Sequence, residues 1–377
     1  MKKTIVTFFL LFNCVIAWTQ IANIPTFGTD GTLEIATWNI EHFPKNNQNT
    51  IDSVSQIIKA LDIDIISFQE IDDTISFKQM INNLPDYQYY FKSQWYGGLA
   101  YIYKTDVIQI NDFYEIYTTS PYWSPFPRSP LVMDMNFMGQ NIIVINNHFK
   151  CCGNGILDLN NSGDEESRRY IASNLLKEYI DNYFTDKKVL VVGDLNDNIA
   201  EPESNNVFIN IVNDNQNYLF ADMEIAQGDK SDWSYPTWPS HLDHILITNE
   251  LFADFHHDNS EIKTIKIDQY LTNGWNEYDY NISDHRPVAI KLKFESTSNS
   301  DFLTKDELLK IYPNPATSIL NFRLNNLTKN SRIEIYNSMG QLVKLINMLE
   351  NQASLTLQLD SFDTGIYIIK LHTGNNT

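Results

Sequence analysis

Short apolar runs, each closed by a polar cluster, recur from residue 33 to residue 294. Residues 33–39 (LEIATWN), 64–69 (DIISFQ), 87–91, 99–104, 107–117, 131–137, 141–147 (NIIVINN), 188–192, 242–248 and 287–294 read as strands. They are rich in β-branched and aromatic residues and are bounded by turn formers. Two stretches repeat at helical spacing instead. Ile51, Val54, Ile57, Ile58 and Leu61 predict a helix over 50–61. Ile171, Leu175, Leu176, Tyr179, Ile180 and Tyr183 predict one over 165–183, with Ser162 and Glu165 spaced as a capping box at its start. Strands and helices mixed over this length predict an α/β sandwich with two packed sheets.

The pattern changes after residues 296–300 (STSNS), which read as a linker. Residues 319–324, 332–336, 342–345, 355–359 and 366–371 are short strands, and 337–340 (NSMG) is a hairpin turn signal. A small all-β sandwich is expected there. At the other end, Met1, Lys2 and Lys3 precede an apolar run over 4–18, too short to span a bilayer. A secretory signal peptide fits, cleaved between Ala17 and Ala22; the alternative is a buried N-terminal strand. The expected division is a signal peptide at 1–20, a large domain at 21–295, a linker at 296–304 and the sandwich at 305–377.

The chain has 27 Lys and Arg against 47 Asp and Glu, a formal charge of −20, with 43% hydrophobic and 13% aromatic residues. That balance excludes a disordered chain. The acidity argues against a nucleic-acid coat protein but not against a nuclease, because a bound divalent cation inverts local charge. Past the leader only Cys151 and Cys152 remain, which cannot build a disulfide framework.

The polar clusters carry the chemistry. They are Trp38-Asn39-Ile40-Glu41, Gln69-Glu70, Asn147-His148-Phe149-Lys150, Gly193-Asp194-Leu195-Asn196-Asp197, His241-Leu242-Asp243-His244 and Ser283-Asp284-His285-Arg286-Pro287. Strand ends are where side chains converge over a pocket. Carboxylates, amides and imidazoles without a thiolate set favour a hard cation, Mg²⁺ or Mn²⁺.

In this order the clusters resemble the endonuclease/exonuclease/phosphatase superfamily, the deoxyribonuclease I-like enzymes, over about residues 33–294. The resemblance implies a four-layered α/β sandwich with the site at one edge of its two sheets. It implies metal-side roles for Asn39, Glu70 and Asp284. Asp194 would orient or deprotonate the attacking water, and Asn196 would hold a phosphate oxygen. His285 would act on the scissile phosphate with Asp243 orienting it, and His148 would be the second catalytic histidine. Where a basic residue is usual before Asp243, this chain has His241. Arg128 resembles the substrate-side arginine; a surface ion pair is its alternative.

Lys150 lies beside the inferred site and is a candidate phosphate contact. Arg286 is a second cation that would offset the acidic field. Cys151 and Cys152 form either a vicinal disulfide or two thiols. Residues 158–164 (DLNNSGD) begin like a calcium loop, but position twelve is Arg169, leaving Glu165 and Glu166 as substitutes. A structural Ca²⁺ site stands against a solvated acidic loop. Trp95, Tyr96, Tyr122, Trp123, Trp233 and Trp238 fall in loops, as stacking platforms or loop anchors.

Ile311-Tyr312-Pro313-Asn314-Pro315-Ala316, Ile335-Tyr336-Asn337-Ser338-Met339-Gly340-Gln341 and Phe362-Asp363-Thr364-Gly365-Ile366-Tyr367 resemble the type IX (Por) secretion sorting domain. That implies the type IX machinery as partner and a secreted or surface location, without an integral membrane segment; an adhesion or carbohydrate-binding sandwich is the alternative. The function expected is a secreted metal-dependent endonuclease cutting DNA or RNA. The alternatives are hydrolysis of a phospholipid head group or small phosphate ester, and a non-catalytic adhesin.

Overall fold

The computed structural model describes residues 23–92, 97–294, 309–312, 316–324, 331–338, 340–349 and 354–372. The expected signal peptide and linker, Trp95, Tyr96 and Pro313-Asn314-Pro315 lie outside the described residues. Contacts divide the chain into two compact units, Met1–Glu295 and Ser296–Thr377.

Among the described residues the first unit carries twelve strands: β1 Leu33–Phe43, β2 Ile65–Ile71, β3 Tyr87–Lys92, β4 Gly98–Lys104, β5 Ile108–Glu115, β6 Leu131–Phe137, β7 Gln140–His148, β8 Lys188–Asp194, β9 Tyr218–Phe220, β10 Asp243–Thr248, β11 Glu261–Thr264 and β12 Val288–Leu292. Its principal helices are α1 Asn47–Leu61, α2 Thr74–Asn82, α3 Glu165–Tyr183 and α4 Trp275–Asn281. One sheet runs β11-β12-β1-β2-β4-β3 and the other β5-β6-β7-β8-β10-β9. Each contains one parallel pair, β1 with β2 and β7 with β8. A parallel pair needs a long crossover, and α1 and α3 supply it.

Strand alternation explains the layers. In β1, Leu33 and Ile35 enter the core between the sheets, and Ala36, Trp38 and Ile40 face outward against α1, α2 and α4. In β8, Leu190 and Val192 point between the sheets, and Val189 and Val191 face α3. The order is therefore helix, sheet, sheet, helix, the four-layered sandwich expected. Helix α1 buries Ile51, Val54, Ile57, Ile58 and Leu61 as its spacing predicts. Helix α3 differs in two respects. Its N-cap is Asp164, whose carboxylate accepts from Ser167 N at 2.9 Å, so the Ser162–Glu165 capping box does not form. Its buried face is Ala172, Leu176 and Ile180, one turn apart, while Ile171 and Tyr183 face solvent.

The second unit pairs two three-stranded sheets. Strands β13 Leu309–Tyr312, β14 Ile319–Leu324 and β17 Ser354–Gln358 form one, with β14 central. Strands β16 Leu342–Asn347, β15 Arg332–Asn337 and β18 Tyr367–His372 form the other, with β15 central. Phe322, Ile333, Ile335 and Met348 fill the core, giving the small sandwich expected. The turn at 337–340 closes with Gly340 N donating to Asn337 O at 3.0 Å.

Candidate active site

The layer between the sheets changes character at one end. Ile142 and Val144 of β7 continue into Asn146 and His148, Leu190 and Val192 of β8 into Asp194, and Ile247 and Ile245 of β10 into Asp243. Period-two alternation places each polar residue on the same inner face as the apolar ones before it. Register sets His148 opposite Asp194 and Asp194 opposite Asp243. Gly193 allows this: its φ is +147°, and a Cβ there would lie 2.0 Å from the Asn147 carbonyl oxygen. From the other sheet, Asn39 of β1 lies opposite Gln69 of β2. Regular pairing breaks just beyond, where Glu41, His42 and Glu70 take positive φ. Such a bulge re-aims a side chain, here letting Glu70 follow the inward-facing Gln69 into the same site.

A polar floor joins the sheets beneath. Gln69 Nε2 donates to Asn146 Oδ1 at 2.8 Å and to Thr37 Oγ1 at 3.1 Å. Asn146 Nδ2 donates to the carbonyls of Phe68 and Ala100 at 3.0 and 3.1 Å. These buried amides are thus partnered, as interior polar groups must be.

Above the floor, Asn39 Nδ2 donates to Glu70 Oε1 at 3.1 Å and to Asp194 Oδ2 at 3.0 Å. Its Oδ1 accepts from Glu41 N at 3.0 Å, so Asn39 holds the carboxylates and spends its oxygen on the backbone. His285 Nδ1 lies 2.7 Å from Asp243 Oδ2, and its Nε2 is 3.8 Å from Asp194 Oδ2 and 3.9 Å from Asp284 Oδ1. Ser283 pins this segment by donating to Asn39 O at 2.7 Å and accepting from His285 N at 3.0 Å. His148 Nε2 lies 3.6 Å from Asp194 Oδ2 and 3.8 Å from Glu70 Oε1. Asn196 N donates to Asp194 Oδ1 at 3.0 Å, and its Nδ2 to Phe149 O at 3.3 Å.

The electrostatics separate the two histidines. Burial opposes charge on His285, but Asp243, Asp194 and Asp284 outweigh it and raise its pKa well above the ordinary value. Burial lowers His148 far below that value, with Arg128 and His285 adding repulsion. Burial pushes Asp194 up to about 6, Asp243 and Glu70 adding to the rise and His285 opposing it. Asp284 is pushed up to about 7, by burial and by Glu41, again against His285.

Residues 36–285 match the model of the endonuclease/exonuclease/phosphatase family. The chain belongs to this family. Residues 310–377 match the secretion system C-terminal sorting domain. Among solved structures, D. rerio TDP2 complexed with single strand DNA product is 14% identical, over 70% of this chain and 100% of that chain, with a TM-score of 0.52. Humanized D. rerio TDP2 carrying 14 mutations is 13% identical over the same shares, with a TM-score of 0.51. An endonuclease/exonuclease/phosphatase from Bacteroides vulgatus is 16% identical, over 70% of this chain and 99% of that one, with a TM-score of 0.48. No curated protein matches the chain.

Within this family member, Asn39, Glu70, His148, Asp194, Asn196, Asp243, Asp284 and His285 converge through the contacts above. Arg128 lies half-buried with its guanidinium against Gly97, carries no ion pair among the described residues, and bears on His148 electrostatically. Two expected cations are engaged elsewhere. Lys150 Nζ donates to Cys151 O at 3.0 Å and lies 3.9 Å from Glu165 Oε1. Arg286 is clamped by Asp268, Nε to Oδ1 at 2.8 Å and Nη2 to Oδ2 at 2.7 Å, so it does not offset the field of a polyanion. His241 is fully buried, its Nε2 3.0 Å from Asp222 Oδ2, and forms no part of the pocket wall. The 158–164 loop caps its own backbone, through Asp158 with Asn160 N and Asn161 with Gly163 N, and Arg169 turns inward. Asp164, Glu165 and Glu166 converge instead. Of the loop aromatics, Trp233 donates to Ile225 O, Tyr122 packs on Tyr117, and Trp123 and Trp238 are exposed.

Glu41 and Tyr235 also reach the site, although sequence alone gives neither a role. Glu41 Oε2 accepts from Asp284 N at 2.8 Å and pairs with Lys45. Its place two residues after Asn39 was the available signal. Tyr235 packs on His285 with ring centroids 4.8 Å apart and planes tilted by 44°, and only the folded chain brings them together.

Proposed function

We propose that the chain is a secreted, divalent-cation-dependent phosphodiesterase whose substrate is DNA or RNA. The observation that carries this is one site in which Asp243 lies 2.7 Å from His285 Nδ1 and Asp194 Oδ2 stands between the two imidazoles, 3.8 Å from His285 Nε2 and 3.6 Å from His148 Nε2. The donor set suits a hard cation: carboxylates without a thiolate. Glu41, Glu70, Asp194, Asp243 and Asp284 outnumber the cations His285, Lys45 and Arg128, and Asp243 Oδ1 is buried without a partner. Glu70 and Asp284 would hold Mg²⁺ or Mn²⁺, with Asn39 fixing Glu70. The ion, when bound, supplies a Lewis acid for a phosphoryl oxygen.

The remaining work falls to the chain's own groups. Asp243 takes the Nδ1 proton of His285 in a hydrogen bond and leaves Nε2–H free to serve a phosphoryl or leaving oxygen. Asp194, anchored by Asn39 and Asn196 N, accepts the proton of the attacking water. Asn196 Nδ2 uses one hydrogen on Phe149 O and has the other for a phosphate oxygen. Arg128 supplies a guanidinium for a neighbouring phosphate. Exposed Trp238 and Trp123 offer faces on which bases stack.

The −20 charge favours a second reading, a phospholipid head group or small phosphate ester, because it repels a polyanion. A panel of plasmid DNA, RNA, sphingomyelin and bis(p-nitrophenyl) phosphate separates the two. Nucleic-acid cleavage with Mg²⁺ or Mn²⁺, lost in chelator, is expected. Turnover of lipid alone would move the assignment, and full activity in excess chelator would remove the metal. We assign export to a leader over residues 1–20 acting with the sorting domain. The place left for a structural Ca²⁺ is Asp164, Glu165 and Glu166; calcium raising the melting temperature without changing turnover is the outcome expected there.

A further inference from the structure

Cys151 and Cys152 take no part in the reaction proposed above. Both are free and exposed, with their Sγ atoms 2.9 Å apart. The segment that carries them is fastened to the site. Phe149 N donates to Asp194 O at 2.9 Å. Arg169 Nη1 donates to Lys150 O at 2.8 Å and to Cys152 O at 2.7 Å, the carbonyls on either side of Cys151. Arg169 Nε meets Asp197 Oδ2 at 2.7 Å, and Arg169 is only 3% exposed. One guanidinium thus holds the cysteine turn against the loop that carries Asp194 and Asn196. The turn is tight: Cys152 has φ +71°, and a Cβ on Gly153 would lie 2.2 Å from Glu166 Oε1.

We propose that Cys151 and Cys152 are a dithiol modification site, closed to a disulfide by exchange with a low-molecular-weight disulfide, and that closure loosens the Arg169 clamp and slows the active site. In the first step one thiolate attacks the reagent disulfide, forming a mixed disulfide and expelling one reagent thiol. In the second, the other thiolate attacks the protein sulfur of that bond and expels the second reagent thiol. Two electrons and two protons pass from the protein to the reagent. The product closes a small ring around the Cys151–Cys152 peptide, so ψ of Cys151 and φ of Cys152 are reset and the Cys152 carbonyl turns with them. That carbonyl is half of what Arg169 grips on this turn. An exported protein meets oxidising surroundings, where such exchange runs forward.

The activity arm of this inference rests on the phosphodiesterase reading; its chemical arm does not. The mature chain, without residues 1–20, is treated with oxidised glutathione or with dithiothreitol. It is then examined by intact mass, iodoacetamide uptake, amide exchange over residues 149–155 and Mg²⁺-dependent hydrolysis of bis(p-nitrophenyl) phosphate. The oxidised form should lose the mass of two hydrogens, refuse iodoacetamide at both cysteines, exchange faster over that segment and turn over about tenfold more slowly. Dithiothreitol should reverse all four changes. Cys151→Ser and Cys152→Ser should keep the reduced rate and lose the response. Retention of glutathione on both thiols would overturn the proposal, as would a disulfide that leaves rate and exchange unchanged. If the reduced protein hydrolyses no phosphodiester, the proposed function fails, and mass with amide exchange still decides this one.

Discussion

His285 and His148 share a site yet are shifted in opposite directions. The difference lies in what faces each ring. His285 has the carboxylate of Asp243 at 2.7 Å, whereas His148 Nδ1 is buried without a partner. A group with a raised pKa keeps its proton through neutral pH, so in the proposed reaction His285 would enter as a donor. His285→Ala should cost roughly 10²- to 10⁴-fold in turnover while the protein stays folded, read by steady-state rates beside circular dichroism. Asp243→Asn should approach that loss, because it removes the charge that keeps His285 protonated. Asp194 works in the opposite sense. It must be ionised to take a proton, and its pKa is pushed up to about 6, so activity should fall as pH drops through that value. A pH–rate profile flat down to pH 4 would contradict its role as base.

At the scale of elements, three strands end with unusual backbone, β1, β2 and β8. The tip of β8 needs Gly193, and Gly193→Ala should destabilise the fold by about 3 kcal/mol or more, seen in denaturant melts. At the opposite end of β1, Glu34 is 1% exposed and its backbone N donates to Asp64 at 3.2 Å. Burial, with Asp64 adding to it, raises Glu34 from 4.5 to about 7. The folded chain therefore binds more protons than the unfolded one between those values, and stability falls as pH rises through that window. Glu34→Gln should flatten this decline, measured as urea midpoints at pH 5 and 8. Element placement also shows what a sequence discloses. The chemistry at the tips of β1, β2, β7, β8 and β10 was legible because apolar run and polar cluster are contiguous there. The partners of Lys150, Arg169 and Arg286 were not, because Glu165, Asp197 and Asp268 reach them only through folding. Short elements such as β9 and β11 escaped for a related reason: at three and four residues each is too short to show a period.

For the whole molecule, catalysis is assigned to one compact unit and sorting to the other. The chain ended at Glu295 should hydrolyse its substrate with unchanged kcat/KM and fail to be exported; loss of turnover on that cut would show dependence on the sorting domain. The four-layered unit carries a further consequence. The proposed reaction chamber is the open mouth of the same seam that binds the two sheets, with Gln69 and Asn146 as the last rungs between oil and water. Leucines at both rungs would strip the Phe68 and Ala100 carbonyls of their donor and leave the carboxylates above them on a greasy base. Sturdiness and turnover draw on one row of side chains, and heat-tolerant variants of this protein should be sought anywhere but there.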